Sequence, residues 1–394
     1  MMTRFLPPML VLSLAFACSA KSQAAKDVRD IVGVTHVAGR YHLTDRDFLN
    51  EGADQILALG SRVIKVWFWA GIGGRVPESY PYNSQWPTVE SLVAGAKTPY
   101  FKALFSKPFT TYIMVVASLG RDEPYWRKGI TEEQKQDEQR QFYELAKYLL
   151  IQYQGTGKTF VLQHWEGDWL VRGNYKGDQE PAPAALANMV EWLNARQAGV
   201  NQARQEVGQQ GVHVYHAAEV NRVVQSMRTG FPNMVNKVLP HTPVDLVSYS
   251  AWDSATEHYR DPNVLREALD FIAANAPDSA DFGNRNVYLG EFGMPGNMYS
   301  LVVRATHASP VQTAIPNAVR TALDWGCPYI VYWQLYCNEL KDLNAKTPLV
   351  GATHASPLQV RGFWLIRPDG TKAWTWDYFH GLFAATKADL TVNK

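Results

Sequence analysis

The stretch FVLQHWEGDWLV (160–171) opens as an apolar run fit for a buried strand and then stops in a cluster of Trp, His, Glu and Asp. A strand with a purely structural task would end in Gly, Asn or Pro, because turn residues suffice where a chain leaves a sheet. Acids and large rings at that exit point to a site built on the strand's carboxyl end.

Outward from this stretch the same unit repeats. From residue 31, short β-branched or aromatic runs alternate with longer helical patterns, a rhythm that predicts parallel strands joined by crossover helices. The runs are IVGVTH (31–36), RVIKVWF (62–68), TYIMVVA (111–117), TFVLQHW (159–165), VHVYHAA (212–218), VDLVSYS (244–250), NVYLGEF (286–292) and YIVYWQL (329–335). Between the first two, residues 44–60 predict a helix opened by Thr44 and stopped by Gly60. Residues 131–155 predict another, with a Thr131/Gln134 capping box and Phe142, Leu145, Leu149 and Leu150 on one face. Residues 182–208, 261–276 and 309–326 supply three more, and 373–386 a closing amphipathic piece.

Eight strand-helix units predict an α/β fold, a (β/α)8 TIM barrel with long βα loops, read as one catalytic barrel over residues 26–394. The longest loops (70–90, 118–130, 166–182, 293–308 and 336–372) all follow strands, the side on which this fold builds its sites. A doubly wound open sheet would want a glycine-rich phosphate turn after its first strand, and VTHVAGRY offers none.

Composition narrows the partners. With 46% hydrophobic and 19% charged residues the chain is a folded globular protein. A net charge of +1 without a long basic or acidic run favours neither nucleic acid nor an anionic membrane. Its 13 Trp instead suit the recognition of flat apolar faces. Residues 1–25 have the order of a secretory signal, Arg4, an apolar stretch to about Phe16, then small residues, too short for a membrane span. Cleavage after Ala17 or after Ala24 fits, and the product would be secreted or periplasmic, without stable membrane insertion. Lipid anchoring through Cys18 is the alternative, although Leu14 stands four residues before it where the lipoprotein pattern has three. Cys327 and Cys337 flank a strand, too far apart to bridge, so both are expected as free thiols. No Cys pair supports a zinc site, and no metal or cofactor is called for.

Which acids fall at strand ends decides the chemistry. Glu166 ends strand four and Glu291 ends strand seven, while Asp168, Glu219, Asp253 and Glu339 lie just beyond strands four, five, six and eight. Two Glu on strands four and seven would face each other across the barrel mouth, as glycoside hydrolysis requires: one protonated acid for the leaving oxygen, one carboxylate for the anomeric carbon.

These residues resemble the large clan of retaining (β/α)8 glycoside hydrolases called clan A. LGEFG (289–293) is similar to the clan's nucleophile segment, VYWQL (331–335) to its strand-eight motif, and RGFWLIRPDGTKAW (361–374) to the hairpin before its last helix. The resemblance implies Glu166 as acid/base, Glu291 as nucleophile, Trp333 as the floor of the sugar site and Tyr249 as a contact to the nucleophile. Two positions depart from the clan. Trp165 stands where most members place Asn to hold the sugar's 2-hydroxyl, and Lys65 stands where many use Arg. His164, Asp168 or a neighbour would then take over the missing contact, the alternative being a different acid/base. Trp69 and Trp252, just past strand ends, and His36 and His216 complete the candidates for sugar binding, the alternative for each His being a satisfied core side chain.

The implied function is a secreted retaining hydrolase of a β-linked oligosaccharide or polysaccharide. The alternatives are a carbohydrate-binding pseudoenzyme on the same barrel and a metal-dependent barrel hydrolase. The last would want two His one residue apart on strand one, which offers only His36.

Overall fold

The computed structural model describes residues 27–68, 76–122, 124–297, 309–342 and 359–385. The expected signal segment, Cys18 and Trp69 lie outside the described residues.

Eight parallel strands close into a barrel in sequence order: β1 (Val32–His36), β2 (Val63–Phe68), β3 (Thr111–Val116), β4 (Thr159–Gln163), β5 (His213–Val220), β6 (Leu246–Ser250), β7 (Val287–Phe292) and β8 (Ile330–Tyr332). The eighth pairs with the first, Val32 opposite Ile330. Each observed strand falls within or against its predicted run. The helices that follow the eight strands in turn are α1 (Phe48–Leu59), α2 (Pro99–Ser106), α3 (Glu132–Gln152), α4 (Pro183–Val207), α5 (Val223–Thr229), α6 (Pro262–Asn275), α7 (Pro310–Trp325) and α8 (Trp374–Ala384). Their apolar faces and the outward faces of the strands form one continuous core.

Local chemistry accounts for most helix ends. The Thr131/Gln134 box opens α3 as expected, and a second box, Ser309 with Gln312, opens α7. For α1 the start moves: Asp47 accepts from the Asn50 N–H, and Gly60 closes the helix at φ 109°. Thr44 lies outside, because its N–H and hydroxyl are taken by the Glu51 carboxylate at 2.8 and 2.7 Å. The expected hairpin is present as the Ile366 to Lys372 bridge around its turn. Cys327 and Cys337 are buried free thiols. No described helix is long and apolar enough to cross a membrane.

Period-two alternation sorts each strand into outward and inward side chains. The lower interior is an apolar plug of Val63, Ile113, Val161, Tyr215, Leu246, Tyr288, Tyr329 and Val331, with Ala217. One pleat further along the same strands the inward positions turn polar: Lys65, Gln163, Glu219 and Ser248, all fully buried. This polar layer lies directly beneath the barrel mouth.

Candidate active site

A cavity of about 210 Å³ opens at the carboxyl end of the strands, lined by Val37, Trp67, Trp165, Glu166, Trp252, Glu291, Trp333, Asn338 and Glu339. The two glutamates singled out from the sequence therefore share one space. Ser250 joins them. Its hydroxyl oxygen is 2.6 Å from Glu166 Oε1 and 3.2 Å from Glu291 Oε2. Those two carboxylate oxygens cannot be farther apart than the two lengths laid end to end, which is less than the roughly 6.5–9.5 Å between carboxyls that work through an intervening water. A hydroxyl carries one hydrogen. Both contacts are hydrogen bonds at once only when one carboxyl is protonated and donates while the other accepts.

The bottom of the site is a buried network of charges and hydrogen bonds. Lys65 Nζ donates to Glu291 Oε1 at 2.8 Å, to Glu219 Oε2 at 3.1 Å and to the Gly290 carbonyl at 3.2 Å. Glu219 also accepts from Gln163 Nε2 at 2.7 Å, from the Ser248 hydroxyl at 2.6 Å and, through its other oxygen, from the Glu166 N–H at 2.9 Å. One carboxylate thus touches the main chain of one candidate catalytic glutamate and, through Lys65, the side chain of the other. Glu166 itself adopts φ 20°, ψ 76°, a conformation rare for any residue with a side chain. Such strain is held where surrounding bonds over-determine it, and it gathers at functional positions. Here the Glu219 bond on one side and the turn Gly167–Arg172 on the other fix it. Gly290 is required by close approach: a Cβ there would lie 1.8 Å from Ser248 Oγ.

These contacts separate the titrations. Burial, then the negative charge of Glu291, holds Glu166 well above the usual carboxyl range. Burial raises Glu291 to about 7, against the pull of the Lys65 ammonium. Burial acts on Glu219 too, but Lys65, Ser248 and the Glu166 N–H outweigh it and keep that carboxylate below its ordinary value. Lys65 is raised: its two carboxylates together outweigh its burial. Glu291 therefore ionises before Glu166.

Among the aromatic candidates, Trp333, Trp165 and Trp252 wall the cavity, and Trp67 meets Trp333 edge to face at 5.9 Å. The Trp67 Nε1–H and Asn338 Oδ1 are buried at this cavity and lack hydrogen-bond partners among the described residues. Glu339 accepts from Trp333 Nε1 at 3.3 Å and pairs with Arg361. Lys65 sits under the cavity, not on its wall.

Five expected contacts are corrected. Tyr249 does not reach Glu291: Leu246, Ser248 and Ser250 take the inward positions of β6, so Tyr249 points outward and donates to Asp253 at 2.6 Å. Its neighbour Ser250 supplies the contact to Glu291. Asp168 is not on the cavity but ties loops together, accepting the N–H groups of Met234 (2.8 Å), Asn221 (2.9 Å) and Arg222 (3.1 Å). His164 lies behind β4. Its Nε2 accepts the Glu219 N–H at 3.0 Å, so Nδ1 carries the proton toward the Trp165 carbonyl at 3.1 Å, and burial depresses its pKa to about 4. His36 donates to the Phe48 carbonyl at 2.7 Å, with its pKa also depressed by burial to about 4. His216 bonds Gln197 at 3.2 Å and burial keeps it well below its ordinary range. All three histidines are neutral core side chains. Among the described residues no three His, Cys, Asp or Glu side chains converge as a metal site.

Residues to which the sequence reading gave no role are Ser250, Gln163, Ser248, Asn338 and Trp67, and it placed Glu219 and Glu339 beyond strand ends without a task. For the strand residues the signal was available. Ser248 and Ser250 share a face with Leu246, and Trp67 shares one with Lys65, once the inward phase of each strand is set.

No protein-family profile matches the chain, and no curated protein is similar to it in sequence. Solved structures do match. The chain superposes on the exo-beta-1,4-mannosidase Op5Man5 from Opitutaceae bacterium strain TAV5 with a TM-score of 0.51 at 15% identity, 90% of this chain covering 59% of that one. A GH5_18 variant from Streptomyces cattleya, in complex with Manb1-4GlcNAc, matches with a TM-score of 0.52 at 14% identity over 91% of this chain and 82% of that one. A GH5-4 broad specificity endoglucanase from Bacteroides salanitronis matches with a TM-score of 0.50 at 13% identity over 90% and 92%. The eight-stranded barrel expected from the resemblance to clan A is the fold that this chain shares with these solved glycoside hydrolases.

Proposed function

We propose that the chain is a secreted, metal-independent retaining glycoside hydrolase acting on a β-linked oligosaccharide or polysaccharide. The observation that carries this reading is the Ser250 bridge between two buried carboxyls of unequal acidity in an aromatic cavity. Glu291 attacks the anomeric carbon and forms a glycosyl ester. Glu166 gives its proton to the departing oxygen, then takes one from the water that releases the sugar. Lys65 keeps Glu291 ionised as Glu166 stays protonated, the split that the two roles demand. Trp333, Trp165 and Trp252 offer faces to the apolar sides of a sugar, and the unpartnered Trp67 N–H and Asn338 carbonyl oxygen are suited to its hydroxyls. The glycoside hydrolases with this fold support the class, and export rests on the first 25 residues.

The test is a screen of chromogenic β-glycosides and soluble glycans, followed by Glu291→Ala. Turnover should vanish and return in part with azide, giving the glycosyl azide of opposite anomeric configuration. Undiminished turnover without azide would remove Glu291 from the mechanism, and binding without turnover in the wild type would favour a carbohydrate-binding barrel.

A further inference from the structure

Tyr175 stands apart from every other aromatic residue described. The large hydrophobic side chains described are buried or half-buried, yet Tyr175 is 71% exposed, joined among exposed ones only by Ile151 on α3 at 56%. Its ring meets Trp165 edge-on at 6.4 Å and Trp169 at 5.8 Å. Trp165 is a wall of the cavity beside Glu166. Partial burial of the phenol, then the Glu166 charge, holds Tyr175 above its ordinary range, although most of the residue's surface is open to water.

The loop that carries this ring is pinned from below. Arg172 donates to the Asp168 carbonyl at 2.8 Å, to the Gln179 carbonyl at 3.0 Å and to Asn233. Asn174 reaches Gln179 Oε1 at 3.1 Å and accepts the Lys176 N–H at 2.8 Å. The guanidinium groups of Arg172 and Arg222 each lie 5.6 Å from the Trp169 ring centre. An aromatic ring held in water by a fixed loop, beside a cavity, is a surface prepared for a ligand.

Chemistry says which part of the ligand. A general acid must reach the oxygen that departs, so the leaving group lies on the Glu166 side. Trp165 and Tyr175 are the rings on that side. We propose that Tyr175, with Trp165 and Trp169, forms a ledge that binds the first sugar of the leaving group, so that the substrate is a glycan continuing past the cleaved bond, not a glycoside of a small alcohol. This inference rests on the glycosidase reading above.

The test compares two leaving groups on one glycosyl unit. Cello- and manno-oligosaccharides leave as sugars, whereas β-glucosyl and β-mannosyl fluorides release fluoride and have nothing to stack. The ratio of kcat/KM for oligosaccharide over the matching fluoride should fall about ten-fold in Tyr175→Ala, the equivalent of ~1.4 kcal/mol for one lost aromatic contact, and recover in Tyr175→Trp. Tyr175 is exposed, so the variants fold. A ratio that moves less than about two-fold, or a wild type that hydrolyses fluorides but no oligosaccharide, overturns the ledge alone. Where the screen above finds activity on another sugar, the oligosaccharide and fluoride of that sugar make the pair; a wild type inactive on every glycoside and glycan of the screen overturns the glycosidase reading and the ledge with it.

Discussion

Lys65→Met removes the cation beneath the site while keeping most of the side chain's volume. Nζ sits 2.8 Å from Glu291 and 3.1 Å from Glu219, with no solvent access. Deleting one partner of a buried ion pair destabilises by ~3–5 kcal/mol, because the charge left behind is unpaired. If half of ~5 kcal/mol falls on Glu291, its titration rises by nearly two units at ~1.4 kcal/mol each. From about 7 it would move to roughly 9, so the ionised fraction at pH 7 drops from about one half to about one hundredth. The nucleophile must be ionised, so kcat/KM at pH 7 falls about fifty-fold while its low-pH limb shifts upward by about two units.

The assay is the pH dependence of kcat/KM on a chromogenic glycoside, beside urea unfolding at pH 7. In the wild type, activity should rise as pH climbs through about 7, where Glu291 loses its proton, and fall at higher pH where Glu166 loses its own. The two limbs belong to the coupled pair. In Lys65→Met/Glu219→Gln the second buried charge is also gone, so the loss of stability should be smaller than the sum of the single changes. A folded Lys65→Met protein with an unmoved low-pH limb would refute the assignment of Lys65 as the group that ionises Glu291.

Other substitutions probe the rest of the site. Glu166→Gln should lower turnover of poor leaving groups by about 10²–10⁴-fold, much less for activated aryl glycosides, as read by a leaving-group series. The same change should relieve an alkaline loss of stability. A carboxyl raised in the folded state stabilises below its unfolded value of roughly 4.3, and that contribution is lost as pH rises through the folded value. Urea midpoints of wild type and Glu166→Gln should therefore diverge from pH 5 to pH 9, with Gln the more stable at the alkaline end. Gly290→Ala brings a Cβ to within 1.8 Å of Ser248 Oγ, so the hydroxyl must turn away from Glu219 and give up its 2.6 Å bond; overpacking there should destabilise by ~1–3 kcal/mol, read from the urea midpoint. Asp168→Ala leaves the N–H groups of Asn221, Arg222 and Met234 without their acceptor and should lower stability by ~3 kcal/mol or more at ~1–3 kcal/mol for each unsatisfied group.

The barrel was legible because its signals are local. Each apolar run is long enough to specify a strand, each Ser, Thr or Asp before a helix competes for the first free N–H groups, and eight repeats leave few ways to close. The exceptions obey the same physics. Thr44 looked like a helix cap, but Glu51, one turn into the helix, captured both of its polar groups and left Asp47 as the cap. That capture depends on how the chain folds back, which no local pattern records.

The site was legible at its two carboxylates and obscure around them, for a reason that lies in strand phase. A strand end can be found from composition, but which of two consecutive residues points inward depends on register, and a single step exchanges the faces. At β6 the large conspicuous Tyr249 faces out and the small Ser250 faces in. At β7 the pairing slips, so that Glu291 stands opposite Ser250 and meets it at the mouth, one residue after the inward Gly290. The three histidines misled in the same way: each sits beside an inward residue, and each is buried as a neutral hydrogen-bonding group behind the sheet. Lys65 and Glu219 share the inward phase with Trp67 and Ala217. Two opposite charges placed at matching depth inside an apolar barrel have to pair with each other or with something that needs charge. Here Glu291 fills the second part of that condition, which is why the cation under the site bears on the chemistry above it.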